Sequence, residues 1–285
     1  LRAPSRGLPF DGDHTEPIFV VGCGRSGSTL LRRLLVTSDE LHIPPETYVL
    51  GPTIRQFSRL RTQPWDLVVH ATVARFAFHP EWRHTKTDLT STIGELLATP
   101  EHERSLGRIV DSIYRATAFE GMVARWGDKT PYNSYFLPEI DRTFPNARYV
   151  HIIRNPYDVV ASYLRMGAYS STRDAAERWR SSVSNVRRFA RSRTDKVVEI
   201  TYEQLVTDPV SVGDRLGEEL RLSAVDGGAL HHETDTAALG DVHALPHHQR
   251  VAEPVTASRI GRGKDSLSSE QRDLVQRTIG DLWAV

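Results

Sequence analysis

The run Gly22-Cys23-Gly24-Arg25-Ser26-Gly27-Ser28-Thr29 has the residue types of an anion-binding turn. Small side chains let backbone N–H groups curl around a phosphate at the start of a helix. The Walker pattern would put lysine where this chain has Ser28, so the cation that reaches a β/γ-phosphate is missing. Arg25 instead sets a fixed charge inside the loop, and its fork of donors suits a tetrahedral oxyanion. An ordinary glycine turn is the competing reading. Arg154 follows an apolar strand and so points where ligands sit in open α/β sheets. Ser162 lies about two turns into the next helix, on the side away from Val159, Val160, Tyr163 and Leu164. Arg154 and Ser162 could clamp a second phosphate; a capping serine and a surface arginine is the plainer alternative. Neither the strand at 147–153 nor that at 196–202 ends in Asp, so the acidic half of an Mg²⁺-dependent nucleoside triphosphatase site is not expected.

Positioning these groups requires a particular framework. Residues 17–22 are a continuous apolar run of the buried parallel-strand kind, followed by the glycine loop and a leucine-rich helix from Thr29. Residues 52–123 are mostly helical, including 65–78 and 101–123, and read as an insert covering one side. Residues 147–153 return to a strand, and Asn155-Pro156 supplies a cap and a first-turn proline for a helix over 157–166. An Arg-rich helix follows at 172–192, a strand at 196–202 and a helix at 208–220. A long irregular excursion at 224–264 precedes a closing helix at 269–283. Strands alternating with helices predict an α/β fold, P-loop-like and three-layered, with a central parallel sheet flanked by helices. The whole of 1–285 is expected to be one domain.

The motifs resemble those of the sulfotransferases that use 3′-phosphoadenosine 5′-phosphosulfate (PAPS), most closely the bacterial members related to tyrosylprotein sulfotransferases. Gly24-Arg25-Ser26-Gly27-Ser28-Thr29 matches the family's 5′-phosphosulfate loop, with Gly24 for the usual proline and Ser28 for threonine. Arg154 with Ser162 matches the pair that holds the 3′-phosphate. Glu46 lies at about the family's distance from the loop, Gly127-Asp128-Lys129-Thr130-Pro131 resembles an Asn-Lys-Asp-Pro-like element, and Tyr202-Glu203-Gln204-Leu205-Val206 resembles a strand-end segment.

The resemblance implies a sulfotransferase that moves the sulfuryl group of PAPS to a hydroxyl and releases adenosine 3′,5′-bisphosphate (PAP), with no metal. Glu46, in the stiff Pro44-Pro45-Glu46 loop, would be general base, and Arg25 and Lys129 would neutralise the moving charge. Tyr202 would lie beside the adenosine, although a buried strand-end tyrosine competes. Ser258, Arg262 and Lys264 are further candidate cofactor contacts, the last two in a Gly261-Arg262-Gly263-Lys264 element that departs from the family's Gly-Arg-Trp. Lys129 is one of four lysines in an arginine-dominated chain, and a surface pairing with Asp128 is its alternative role.

Composition removes other classes. With 36 Lys plus Arg against 36 Asp plus Glu, the chain lacks the basic excess of a nucleic-acid or anionic-membrane binder. Residues 39% hydrophobic and 25% charged exclude disorder, and no stretch reaches membrane-spanning length. A single cysteine, Cys23, favours a cytoplasmic address, and a start at Leu1 leaves room for a trimmed leader. His231, His232, His243, His247 and His248 are adjacent pairs and a single rather than metal-ligand spacing. The seven arginines Arg173, Arg178, Arg180, Arg187, Arg188, Arg191 and Arg193 read as a solvated face, or as the border of an entrance for an acidic peptide or glycan. The acceptor is a small molecule, glycan, lipid or peptide tyrosine, and oligomeric state is open. A P-loop kinase using ATP and Mg²⁺ on a small hydroxylated substrate is the alternative, and a nucleotide-binding domain without catalysis a third.

Overall fold

The computed structural model describes residues 7–9, 16–118, 125–233, 239 and 251–283. Five strands, β1 (Ile18–Gly22), β2 (Leu41–His42), β3 (Arg125–Asp128), β4 (Arg148–Ile153) and β5 (Val197–Thr201), form one parallel sheet in the order β2-β3-β1-β4-β5. β1 is central and buried on both faces, which is why its sequence is uninterrupted apolar rather than alternating. Ile18 and Val20 pack on one side with Leu31, Leu34 and Leu35 of α1 (Ser28–Leu35). Phe19 and Val21 face the other side, where Phe19 stacks on Tyr149 at 5.6 Å and meets the edge of Trp126 at 5.8 Å.

That second side is covered by α2 (Leu50–Leu60), α3 (Trp65–Ala77), α4 (Thr90–Leu97) and α5 (Leu106–Arg115), whose buried Phe57, Val69, Phe76 and Ile113 join the cluster around Phe19. The helical insert expected at 52–123 is thus present; residues 119–124 of it lie outside the described residues. α6 (Leu137–Thr143) leads to β4, and α7 (Pro156–Arg165) starts as its sequence predicts: the Asn155 side chain accepts the Tyr157 N–H at 3.0 Å and proline occupies the first turn. α8 (Thr172–Ala190) packs beside α7, and β5 passes directly into α9 (Tyr202–Thr207) and α10 (Pro209–Leu220). α11 (Arg262–Ser266) and α12 (Ser269–Ile279) close the chain, the last through a Ser268/Gln271 capping box. Among the described residues no helix is long and apolar enough to cross a membrane.

β2 and β3 were not expected from the sequence. β2 has two residues, and β3 reads Arg-Trp-Gly-Asp, a composition poor in β-formers. Tertiary contacts make β3 a strand. Arg125 donates to the carbonyls of Glu16 and Leu220 at 2.9 and 2.6 Å, and Trp126 stacks on Tyr114 at 4.3 Å. Gly127 lies so close to β1 that a Cβ would come within 2.6 Å of the Ile18 carbonyl oxygen. The strands at 147–153 and 196–202 end without an acid as read from the sequence, but the unexpected β3 ends in Asp128, next to β1.

Candidate active site

Where β1 ends, Gly22 and Gly27 take positive φ angles of 147° and 93°, and Arg25 does so at 70° despite its side chain. The Ser26 N–H closes the turn on the Cys23 carbonyl at 3.3 Å. α1 then begins with Gly27 as its cap residue, with no capping side chain and no acid in the first turn, so its leading N–H groups face the cleft without a built-in counter-charge. The turn is wedged between two tyrosines: a Cβ on Gly24 would meet the Tyr163 hydroxyl at 2.6 Å, and one on Gly27 the Tyr202 ring at 2.5 Å. Gly27→Ala therefore combines a clash with an unfavourable φ, and a loss of about 1–3 kcal/mol is expected, read as a lower urea midpoint at unchanged m-value. An unaltered midpoint would refute the close approach. Burial pushes the neighbouring Cys23 thiol up to about 11, so it is an inert core group.

Arg25 crosses the cleft, its Nε donating to Ser162 Oγ at 3.3 Å. Burial, with Arg154 nearby, lowers its pKa from the ordinary arginine value, the sign of two cations held together in a partly dry site. Arg154 leaves the end of β4, with Nη1 on the Arg25 carbonyl at 3.4 Å, Nη2 on the Arg259 carbonyl at 3.1 Å, and its guanidinium over the Tyr202 ring at 4.0 Å. Its Nε and the Ser26 hydroxyl are buried without hydrogen-bond partners. Asp158 lies 3.5 Å from Arg154 Nη2 and also accepts the Gly261 and Gly263 N–H groups at 3.0 and 2.6 Å. A Cβ on Gly263 would fall 2.3 Å from the Tyr157 carbonyl, so only glycine lets the C-terminal segment lie against α7.

Lys129 follows β3, its side chain wholly buried, and Nζ donates to Glu46 Oε1 at 2.5 Å and Thr29 Oγ1 at 3.4 Å. The other Glu46 oxygen accepts the Tyr48 hydroxyl. Burial and the Glu46 charge raise the Tyr48 pKa, so the phenol stays a donor. Behind them the Thr47 N–H meets Thr130 Oγ1 at 3.4 Å, and the Arg32 guanidinium donates to the Ile43 carbonyl at 2.7 Å, pinning both sides of Pro44-Pro45-Glu46. Asp128 is buried and accepts the Tyr114 hydroxyl, and burial raises its pKa. Lys129 is thus neither at the surface nor paired with Asp128. These elements enclose a cleft of about 800 Å³ lined by Gly24, Arg25, Gly27, Ser28, Thr29, Glu46, Arg154 and Tyr202.

Residues 17–226, most of the chain, match the family model described as "Sulfotransferase family". The chain belongs to the sulfotransferase family. The solved sulfotransferase domain of the olefin synthase of Synechococcus PCC 7002 is 22% identical, covering 96% of this chain and 98% of that one at a TM-score of 0.65. A Caenorhabditis briggsae protein named "Putative protein-tyrosine sulfotransferase" is 22% identical over 222 residues, 76% of this chain and 69% of its own length. A mouse sulfotransferase crystallised with PAP is 13% identical at a TM-score of 0.50, covering 93% of this chain and 84% of that one.

In this sulfotransferase the two strand-to-helix units converge, and Lys129 and Glu46 join them from β3 and from the loop before α2. Ser258, Arg262 and Lys264 are exposed and outside the cleft lining: Ser258 meets Thr256, and Lys264 lies 5.5 Å from the Tyr157 ring. Thr256 and Arg259 line it instead. Of the Arg-rich helix, Arg187 pairs with Glu199 and Arg193 with Asp141, so neither guards an entrance; Arg178 lines the cleft. Tyr48 and Tyr163 were missed as site residues, Tyr163 because it falls on the apolar stripe of α7, and Arg178 was offered only as one of seven arginines because nothing in sequence separates it from its neighbours. The described residues contain no group of three or more His, Cys, Asp or Glu placed to hold a metal ion; His243, His247 and His248 lie outside them.

Proposed function

We propose that the enzyme transfers the sulfuryl group of PAPS to an acceptor hydroxyl by in-line displacement, with Glu46 taking the acceptor proton. The observation that carries this reading is the contact between the two cationic positions: Arg25 reaches Ser162 at 3.3 Å and Arg154 reaches the Arg25 backbone at 3.4 Å. A donor phosphorylated at both ends of one ribose needs two adjoining anion sites of this kind. The orphaned Ser26 hydroxyl and Arg154 Nε, and the uncapped start of α1, fit such a ligand. The mouse relative's complex with PAP supports the same donor.

In this scheme Gly24, Arg25, Ser26, Gly27, Ser28 and Thr29 receive the 5′-phosphosulfate, Arg154 and Ser162 the 3′-phosphate, and Tyr202 the nucleoside. Asp158 holds the 261–263 segment beside Arg154, which supports a role for Arg259 at the nucleotide end and leaves Ser258, Arg262 and Lys264 peripheral. The acceptor oxygen bonds to sulfur, the bond from sulfur to the 5′-phosphate oxygen breaks, PAP leaves with the electron pair, and the proton passes to Glu46. Lys129 has two tasks: it holds the Glu46 carboxylate in place at rest, and it turns toward the oxygens on which charge grows. Tyr48 holds the second carboxylate oxygen meanwhile. The acceptor is a hydroxyl compound, and the Caenorhabditis briggsae relative's name supports tyrosine as one class.

Titration calorimetry with PAP, then an acceptor screen with labelled PAPS in EDTA, tests the reading. Micromolar PAP binding and chelator-resistant transfer are expected. Absent PAP binding, or transfer that requires ATP and Mg²⁺, would return the site to the kinase class.

A further inference from the structure

Arg178 is the cation for which the scheme above has no use. It lines the cleft from α8, on the side of Tyr48, Tyr163 and Met166, and its charge is felt at the Tyr48 phenol that holds Glu46. Two other arginines of α8 are neutralised, Arg180 by Glu177 and Arg187 by Glu199, and Arg193 just beyond the helix is neutralised by Asp141. Among the described residues no carboxylate pairs with Arg178. Its guanidinium instead lies 4.6 Å from the centroid of the Tyr135 ring and 5.9 Å from that of Tyr132.

Its position is fixed by neighbours on both sides. Trp179 Nε1 donates to the Arg154 carbonyl at 3.0 Å, and the buried Ser182 hydroxyl donates to Ser134 at 3.0 Å, locking α8 against the 131–135 turn that follows Lys129. Two tyrosine faces orient the guanidinium without supplying charge, and cation–π contact alone is a weak reason to keep a partly buried arginine unpaired. A rigid fork of donors at a cleft, with no carboxylate on it among the described residues, suits a carboxylate ligand.

We propose that Arg178 recognises the acceptor, binding a carboxylate carried by the hydroxylated substrate in a subsite walled by Tyr48, Tyr163 and Met166. The inference rests on the donor reading above, which assigns the donor's anionic groups to Arg25, Lys129, Arg154 and Ser162 and so leaves Arg178 to the acceptor. It narrows the acceptors to hydroxy acids, among them tyrosine in a peptide with a nearby acidic group.

The test is a calorimetric panel on the whole chain, with and without PAP, of hydroxylated acids of graded length against their primary amides: 4-hydroxybenzoate, 4-hydroxyphenylacetate, 3-(4-hydroxyphenyl)propanoate, N-acetyltyrosine and glucuronate. At least one acid is expected to bind about 10- to 100-fold more tightly than its amide. Arg178→Met should erase that preference and leave PAP affinity intact, and Arg178→Lys should retain part of it. The proposal is overturned if no acid outbinds its amide in the unmodified protein, or if Arg178→Met weakens PAP as much as the acid. Failure of PAP to bind the unmodified protein would strike the donor reading instead, and the nucleotide-free acid–amide comparison would still decide this one.

Discussion

Glu46→Gln is expected to lower turnover by about 10²–10⁴-fold, the range for removing a positioned general base, with PAP affinity retained. Glutamine keeps the shape and an acceptor oxygen for Tyr48, so the loop held by Arg32 and Thr130 should stay in place while the ability to take a proton is lost. Retained affinity separates this from unfolding. The measurement is kcat with labelled PAPS beside a PAP titration of the same sample, and turnover within a few-fold of the parent would remove Glu46 from proton transfer.

Lys129→Met carries the second large effect. The lysine side chain is wholly buried, bridging Glu46 and Thr29 at the head of α1. Losing one preorganised donor aimed at developing charge costs about 10²–10³-fold in kcat. Methionine fills the space, and Glu46 is left with Tyr48 as a partner. Because the two residues form one unit, the Glu46→Gln/Lys129→Met double variant should fall little below the worse single variant. Full additivity of the two losses would mean that they act in separate steps.

The glycine loop and the Arg154–Ser162 pair were legible because local rules govern them. A loop between an apolar strand and an amphipathic helix must present its N–H groups, and a residue just beyond a parallel strand lies at the ligand end of the sheet. Lys129 could be suspected only through a resemblance, since Arg-Trp-Gly-Asp becomes a strand through contacts to Glu16, Leu220 and Tyr114, all distant in sequence. For the same reason Asp128 escaped notice as a strand-end acid. It is buried, and its carboxylate accepts the Tyr114 hydroxyl.

Arg178 shows the other limit. Its helix is evident from composition and periodicity, yet which of seven arginines turns inward depends on how α8 packs against the 131–135 turn, fixed by Ser182 on Ser134 and Trp179 on the Arg154 carbonyl. By itself the sequence determined the α/β class, the helical insert and the two strand-to-helix turns, because backbone geometry and hydrophobic period are properties of short segments. Only the tertiary structure decided that Arg25 meets Ser162, that Lys129 holds Glu46 and that Arg178 meets no carboxylate among the described residues. Each depends on side chains 83 or more residues apart, or on a partner's absence, and distances across a sheet are set by the packing of the whole core.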